Sequence, residues 1–207
     1  MVNERLTITA PKIITMQVML EGTAPYMQAK FSHKSIQKMR EKQEAGPTAK
    51  KGAKREARDF EADFVGAQHI SSEGWNGVPA ASIRNACIDA CRMAGFKMTH
   101  AKMSIFVEPD GLDATDGQPL IRLEAGKPER NEMTVRNATG VVDIRVRPFW
   151  RKWRLPVRMA YDGDQFTAAD VANLLLRAGM QVGIGEGRPF SKSSNGLGFG
   201  TFRIVEG

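Results

Sequence analysis

Alternation of apolar and polar side chains predicts four β-strands in this chain. The clearest case is the segment 13–22, IITMQVMLEG, where every even-numbered position from 14 to 20 is apolar and most residues between them are polar. A period of two is typical of a half-buried strand. The same criterion predicts strands at 103–107 (MSIFV), 155–161 (LPVRMAY) and 200–205 (GTFRIV).

Two further segments have the spacing of amphipathic helices. In 78–95, VPAASIRNACIDACRMAG, small and apolar residues recur at helical intervals, Pro79 suits the first turn, and Gly95 suits the end. In TAADVANLLLRAG, Thr167 and Asp170 have the spacing of a capping box and Gly179 stands where the helix should stop. We therefore expect a helix after the first strand and another after the third.

The order strand, helix, strand, strand, helix, strand predicts an α+β fold with a ferredoxin-like (RRM-like) βαββαβ core. We interpret residues 1–207 as one domain in which two large insertions, 23–74 and 108–153, interrupt this core. One residue conflicts with the prediction. Pro156 lies in the third strand, which is central in that topology, yet proline cannot donate a hydrogen bond to a neighbouring strand.

Composition narrows the classes of function. The net charge is +7 and the pI is about 9.6, which suits an anionic partner such as nucleic acid. No apolar run approaches the length of a membrane span and no leader pattern is present, so we expect a soluble cytoplasmic protein without a membrane partner. Cys87 and Cys91, four residues apart, indicate one buried helix face better than a disulfide or a metal site. Nothing in the sequence predicts a metal or a cofactor.

The first insertion carries the excess charge. Between residues 30 and 58 there are ten lysines and arginines against three acids, a net +7 that equals the charge of the whole chain. The segment is poor in large apolar side chains, so we expect it to be flexible until a partner orders it. Its candidate nucleic-acid-binding residues are Lys50, Lys51, Lys54 and Arg55.

The second insertion ends in a basic and aromatic cluster. Its arginines and lysines alternate with aromatic rings, and single strands need such a combination because cations bind phosphates and rings stack on bases. The alternative is a hairpin whose tryptophans anchor the insertion to the core. The candidate binding residues are Arg145, Arg147, Trp150, Arg151, Lys152, Trp153 and Arg154.

A glycine-rich loop, GIGEGRPFSKSSNGLGFG at 183–200, precedes the last predicted strand. Exposed backbone amides, cations and small hydroxyls fit a sugar-phosphate backbone, so Arg188, Lys192, Gly196 and Gly198 are further candidates. The spacing matches neither a P-loop nor a dinucleotide fingerprint. A purely structural loop, in which the glycines serve close packing, is the alternative.

Two stretches carry a resemblance to a known family. GEGRPFSKSSNGLGFGTFRIV at 185–205 and GVPAASIRNACIDACR at 77–92 resemble the glycine-rich loop and the first-helix entry of the RAMP superfamily of CRISPR proteins. Ala80 and Ala81 depart from the glycine and serine usual there. The resemblance implies a nucleic-acid surface that includes Ser82 and Arg84, and it is closest to the backbone subunits that polymerise along guide RNA. It extends to compact phage-encoded relatives, which implies a prokaryotic cell or a phage-infected host.

Three functions follow from these observations. The first is a non-catalytic, largely sequence-independent protein that binds single-stranded RNA or DNA and forms a homo-oligomer or filament along it. The second is an RNA endonuclease of the same fold, although His33, His69, His100, Asp59 and Asp63 lie in no recognisable motif. The third is a phage interaction protein that imitates a CRISPR subunit. Basic residues in three places favour the first.

Overall fold

The computed structural model describes residues 8–30, 33–44, 58–136, 142–191, 194 and 196–206. These residues form a mixed α+β structure with several antiparallel sheets, which confirms the predicted class. The strands are β1 Ile13–Gly22, β2 Tyr26–Met27, β3 Gly77–Pro79, β4 Ile105–Glu108, β5 Gly111–Leu112, β6 Pro119–Arg122, β7 Glu129–Arg136, β8 Val142–Trp150, β9 Arg154–Asp162 and β10 Phe202–Val205. The helices are α1 His33–Glu44, α2 Phe60–Gly66, α3 Ala80–Met93, α4 Met98–Ser104 and α5 Ala168–Arg177, and a π-helical turn, Ala178–Val182, follows α5.

The largest sheet has four strands in the order β10-β1-β9-β4, and every neighbouring pair is antiparallel. Helix α3 connects β1 to β4 with the first insertion before it, and α5 connects β9 to β10. Both helices pack on one face of this main sheet, where the inward side chains of all four strands join the hydrophobic core. The opposite face carries no helix of the described chain.

Local sequence signals explain where the two core helices begin and end. Thr167 and Asp170 form the capping box that the spacing predicts, and the Thr167 hydroxyl accepts a hydrogen bond from the Asp170 backbone N–H. Helix α3 begins directly after Pro79. Its Cys87 and Cys91 are both buried and reduced, and burial raises the pKa of the Cys87 thiol to about 12. Both act as small apolar core residues.

Pro156 lies within the central strand β9 without disturbing it. Arg154, two residues earlier, exchanges backbone hydrogen bonds with Glu124, on the side of β9 away from β1. The alternation of a strand places the missing N–H of Pro156 on that same side. Strand β4, the neighbour there, ends at Glu108 opposite Arg158, before it reaches Pro156. The proline therefore interrupts no hydrogen bond between the strands.

The insertions, together with β3, form two small sheets in addition to the main sheet. One has the order β2-β8-β7 and joins the start of the first insertion to the long hairpin of the second, and the other has the order β3-β6-β5. The described part of 23–74 also contains α1 and α2, two helices that the sequence pattern did not predict. The rest of that insertion includes Lys50, Lys51, Lys54 and Arg55, which lie outside the described residues.

Candidate nucleic-acid interface

The arginines of the second insertion are mostly paired with carboxylates of the same chain. Arg145 and Arg147 both bind Glu186 of the glycine-rich loop, at 3.0 and 2.6 Å. Arg151 lies 3.0 Å from Glu129. Lys152 is exposed, and no carboxylate among the described residues pairs with it. Much of the charge in this cluster therefore holds the hairpin to its surroundings.

The burial of Trp150 and Trp153 contradicts the prediction that their rings stack on bases. Each is only 2% exposed, and their indole N–H groups donate to Gly126 O at 3.0 Å and to Ala24 O at 2.9 Å. Both rings pack against Tyr26, with centroid distances of 5.7 and 5.6 Å. A ring enclosed on both faces offers no surface to a base. The tryptophans anchor the insertion to the core, as the alternative interpretation proposed.

Some glycines of the glycine-rich loop allow close packing, and others are surrounded by open space. A Cβ at Gly185 would meet Met27 O and one at Gly200 would meet Ile184 O, so these glycines allow the loop to lie against β2 and its own start. Gly196 and Gly198 also have positive φ, 66° and 78°, but open space surrounds the position of a Cβ. Among the described glycines of this loop, only Gly196 and Gly198 leave the backbone open to the approach of a ligand, as predicted.

Arg188 folds back on the glycine-rich loop instead of extending from it. Its Nε donates to Phe190 O at 3.1 Å and one terminal nitrogen donates to Gly185 O at 3.0 Å. The remaining terminal nitrogen has no hydrogen-bond partner in the described chain. Lys192, the second predicted cation of this loop, lies outside the described residues.

Near the start of α3, the Arg84 side chain binds backbone carbonyls at the β4 edge of the main sheet. Its Nε donates to Ile105 O at 2.8 Å, a terminal nitrogen donates to Lys102 O, and its guanidinium lies 5.7 Å from the centre of the Phe106 ring. Ser82, predicted from the same resemblance, is half-buried in the first turn of the helix. Among the described residues, the predicted cations of the hairpin, the loop and the helix entry therefore do not form one continuous surface of free charge.

A surface that the motif search missed is the helix-free face of the main sheet, which we call the open face. Phe106 is 43% exposed on it. The pairing places Phe106 opposite Ala160 of β9, and Ala160 opposite Thr15 of β1, so the ring has small side chains on the β9 side in addition to its contact with Arg84. Alternation in MSIFV already directs Phe106 away from the core, but only the strand pairing shows what lies next to it.

Three arginines lie on the open face, Arg158 diagonally next to Phe106 and Arg154 and Arg203 about 20 Å farther along β9. Arg158 lies 2.8 Å from Asp110, while Arg154 and Arg203 share Glu21 at 2.9 and 2.6 Å. Hydrogen bonds from Arg203 and then Arg154 lower the pKa of Glu21, which keeps it ionised. The side chains of Arg154 and Arg203 remain 56% and 63% exposed. One carboxylate shared by two guanidinium groups leaves a local excess of positive charge and free N–H donors.

A second candidate site is a buried polar cluster formed by Lys30, Asp113 and His69. Lys30 Nζ lies 2.5 Å from Asp113 Oδ1, and His69 Nδ1 lies 3.1 Å from Asp113 Oδ2. The Asp113 side chain is fully buried and Lys30 is 6% exposed. Thr115 N–H also donates to Asp113, at 2.8 Å. The cluster therefore joins the start of the first insertion to the second insertion.

Burial and charge set the protonation of this cluster. Burial lowers the pKa of His69, although Asp113 opposes this shift, so the imidazole is neutral at pH 7. Burial by itself raises the pKa of Asp113, but the hydrogen bonds from Lys30, Thr115 and His69 together lower it. A neutral His69 that donates from Nδ1 to Asp113 leaves its Nε2 as an acceptor. Nothing in the sequence around His69 signals this pairing, because its partners are remote in the chain.

Other kinds of site receive no support from the described residues. Among them, no group of three or more histidine, cysteine, aspartate and glutamate side chains could hold a metal ion. No helix in the described chain is long and apolar enough to cross a membrane. Neither a scan against models of protein families nor a search of curated protein sequences finds a match to this chain.

Proposed function

We propose that this protein binds single-stranded RNA or DNA without catalysis and largely independently of base sequence, and that the open face of the main sheet is part of the binding surface. The observation that carries this proposal is the exposed Phe106 ring on a helix-free sheet surface that also carries Arg154, Arg158 and Arg203. A base stacked on the ring and phosphates bound by guanidinium groups would use both features.

The strand order supports a finer assignment of the fold. Numbered within the core, β10-β1-β9-β4 reads 4-1-3-2, with one helix in each of the two crossovers. This is the arrangement expected of a ferredoxin-like or RRM-like core, and we propose that assignment together with a relationship to RAMP proteins. RRM domains bind RNA through the helix-free face of such a sheet.

Charge outside the main sheet would assist this binding. Most described cations of the second insertion have carboxylate partners. The segment 30–58 carries a net +7 by sequence, and its two ends, Lys30 and Arg58, form ion pairs with aspartates. We infer that this segment draws the ligand towards the protein and binds phosphates directly. Association of several copies along one strand is part of the same proposal.

Binding measurements on Phe106→Ala test the role of the ring. We expect single-strand affinity to fall by about 1–3 kcal/mol, or roughly five- to 150-fold, because the base no longer has a ring to stack on. The matched control is Leu176→Ala on α5, which removes an apolar side chain of similar exposure, 40%, from the helical side. Labelled single strands and duplexes are titrated in EDTA. Equal affinity of the Phe106 variant and the wild type would exclude the open face.

The second candidate function is RNA cleavage, and the pairing of His69 with Asp113 is the observation that favours it. A neutral imidazole oriented by a carboxylate is suited to general base catalysis, although His69 is only 11% exposed. Incubation of labelled RNA with wild type and His69→Ala, in EDTA and in magnesium, tests it. Cleavage that the substitution abolishes would replace the non-catalytic proposal, and intact RNA in every sample would support binding alone.

A further inference from the structure

The N-terminal half of β1 is a free sheet edge in the described structure. Strand β10 pairs with β1 only from Met19 to Gly22, because β10 ends at Val205 opposite Met19. Residues 13–18 of β1 pair with β9 on one side. No backbone group of the described chain pairs with them on the other side, and a cleft lined by Gln17, Val18 and Ile204 opens there.

The hydrogen-bond pattern identifies the groups at this edge. Gly22 N–H donates to Trp153 O at 2.9 Å, on the β9 side, and Thr23 N–H donates to Thr201 O, on the β10 side. The backbone N–H and C=O groups of successive residues point to opposite sides of a strand, so those of the odd-numbered residues of β1 point to the free edge. Ile13, Thr15 and Gln17 therefore each present an N–H and a C=O without a partner among the described residues.

This edge lacks the features that usually prevent an edge strand from pairing with another strand. Natural edge strands carry charged residues, proline or a bulge that prevents pairing with another strand. Residues 13–18, IITMQV, contain no charge, proline or glycine. The opposite edge of the main sheet is protected, because Arg84 donates to Ile105 O and Pro109 directly follows β4. Pro11 and Lys12 directly precede the β1 edge, but its uncharged stretch is six residues long, whereas β4 has four residues and Arg84 occupies one of its edge carbonyls.

We propose that a second copy of this chain pairs with the free edge of β1, antiparallel and about a two-fold axis at Thr15. Thr15 then lies opposite its counterpart, and Ile13 of each copy lies opposite Gln17 of the other. Each of these pairs exchanges both of its backbone hydrogen bonds, so every free group of the edge gains a partner. Side chains also stay on their own face, because the paired residues are all odd-numbered.

Two features favour a second copy over an unrelated strand. An uncharged edge pairs with itself without like-charge repulsion. At the end of the pairing, Lys12 of one copy and Glu206 of the other both fall opposite Val18, so both chains leave the sheet at this point, where neither residue belongs to a strand. Both residues are exposed and their charges are opposite. Because the β4 edge is protected, the assembly closes as a dimer with one continuous sheet.

The mass of the full-length protein in solution tests this proposal. After removal of nucleic acid in high salt, sedimentation equilibrium should give twice the chain mass of 22.8 kDa. Thr15→Lys should raise the dimer dissociation constant by about tenfold or more, because two charges then face each other at the two-fold axis. Thr15 is exposed and its N–H faces the free edge, so the fold should survive. The matched control is Thr99→Lys on α4, another exposed threonine.

A cross-link provides an independent result. The Cα atoms of a hydrogen-bonded antiparallel pair lie about 5.5 Å apart, a distance that a disulfide spans. Oxidised Thr15→Cys should therefore form a covalent dimer, and Thr99→Cys should not. A monomer at about 100 μM, or a dimer that neither Thr15 variant affects, would overturn the proposal. The nucleic-acid-free protein is measured, so failure of the binding proposal would leave this result unchanged.

Discussion

At the residue scale, the ionised Asp113 depends on the hydrogen-bond donors around it. Its carboxylate is fully buried, and it accepts hydrogen bonds from Lys30, from His69 and from the Thr115 backbone N–H. Gln28 extends the same network, since its amide donates to Gly77 O at 2.6 Å and accepts from His69 N–H at 3.0 Å. A buried charge is tolerated only when it is paired in this way.

Removal of the lysine partner should destabilise the protein strongly. Lys30→Ala leaves the Asp113 charge buried without its closest cation, so we expect the free energy of unfolding to fall by about 3–5 kcal/mol. Urea unfolding followed by circular dichroism measures it. Lys127→Ala, at an exposed lysine, should change stability by about 0.5 kcal/mol or less. Equal effects of the two substitutions would show that the pairing contributes nothing.

The same cluster should make the fold sensitive to acid. The pKa of folded His69 lies below its unfolded value of 6.5, so the unfolded chain takes up the proton first. This contribution to stability is present above pH 6.5 and is lost as the pH falls through the folded pKa. Asp113, whose pKa is also lowered, acts in the same direction at lower pH.

Melting temperatures measured from pH 7.5 to pH 5 test this expectation. The wild type should lose stability over that range more steeply than His69→Gln, which removes the titrating group and keeps a polar side chain. Lys30, Asp113 and Asp116 are the charged groups that act on His69. Parallel curves for the two proteins would show that His69 does not titrate differently in the folded state.

At the scale of elements, the β7–β8 hairpin is held to the molecule by its base. Trp150 and Trp153 flank the turn from β8 to β9 and pack on Tyr26 of β2. Farther along the hairpin, Glu186 of the glycine-rich loop binds Arg145 and Arg147. Gly185 allows the loop to lie against β2, and Gly183, Gly187 and Gly200 allow close packing within the loop, so packing accounts for four of its six glycines. The element is therefore a packed part of the domain.

Truncation of a tryptophan at this base should affect stability and not binding chemistry. For Trp153→Ala we expect a loss of about 3–5 kcal/mol, because a buried ring and its hydrogen bond to Ala24 are removed. Phe190→Ala, at a ring 44% exposed, is the matched control and should cost far less. Thermal melting measures both. A Trp153 variant that melts like the wild type but binds single strands poorly would restore the stacking role.

At the scale of the whole molecule, the charges that form ion pairs within the fold and the net charge that could attract a polyanion lie largely in different segments. The described cations of the second insertion are largely engaged in pairs such as Arg151 with Glu129 and Arg147 with Glu186. The formal charge of +7 equals that of residues 30–58 alone. Long-range attraction of a polyanion should depend mostly on that segment, because paired charges largely cancel at a distance.

Salt dependence of binding tests this division. Replacement of Lys50, Lys51, Lys54 and Arg55 with alanine should reduce the slope of log affinity against log salt, by about 0.7 for each single-strand phosphate that the segment no longer neutralises. The control replaces Lys97, Lys102, Lys127 and Arg177, which lowers the net charge equally at other exposed positions. If both variants show the same slope, net charge alone is responsible and the segment does not bind phosphates locally.

The sequence by itself determined the features that depend on near neighbours. Alternation located β1, β9 and β10, and the spacing of Thr167 and Asp170 located the start of α5, because side-chain direction and helix capping depend on residues a few positions apart. The mixed α+β class followed from the order of these elements. Helices α1 and α2 were missed because they lie in a polar insertion with weak periodicity. Helix α4 was also missed, and it includes Met103 and Ser104 of the segment predicted as a strand.

Only the tertiary structure decided which of the candidate residues are free to act. Trp153 and Ala24, or Lys30 and Asp113, lie far apart in sequence, and no local pattern encodes their proximity. The same holds for β1, whose partners β9 and β10 come from the other end of the chain, so its free edge and the open face became visible only after pairing. Burial and charge pairing are sums over remote neighbours, and the fold alone brings those neighbours together.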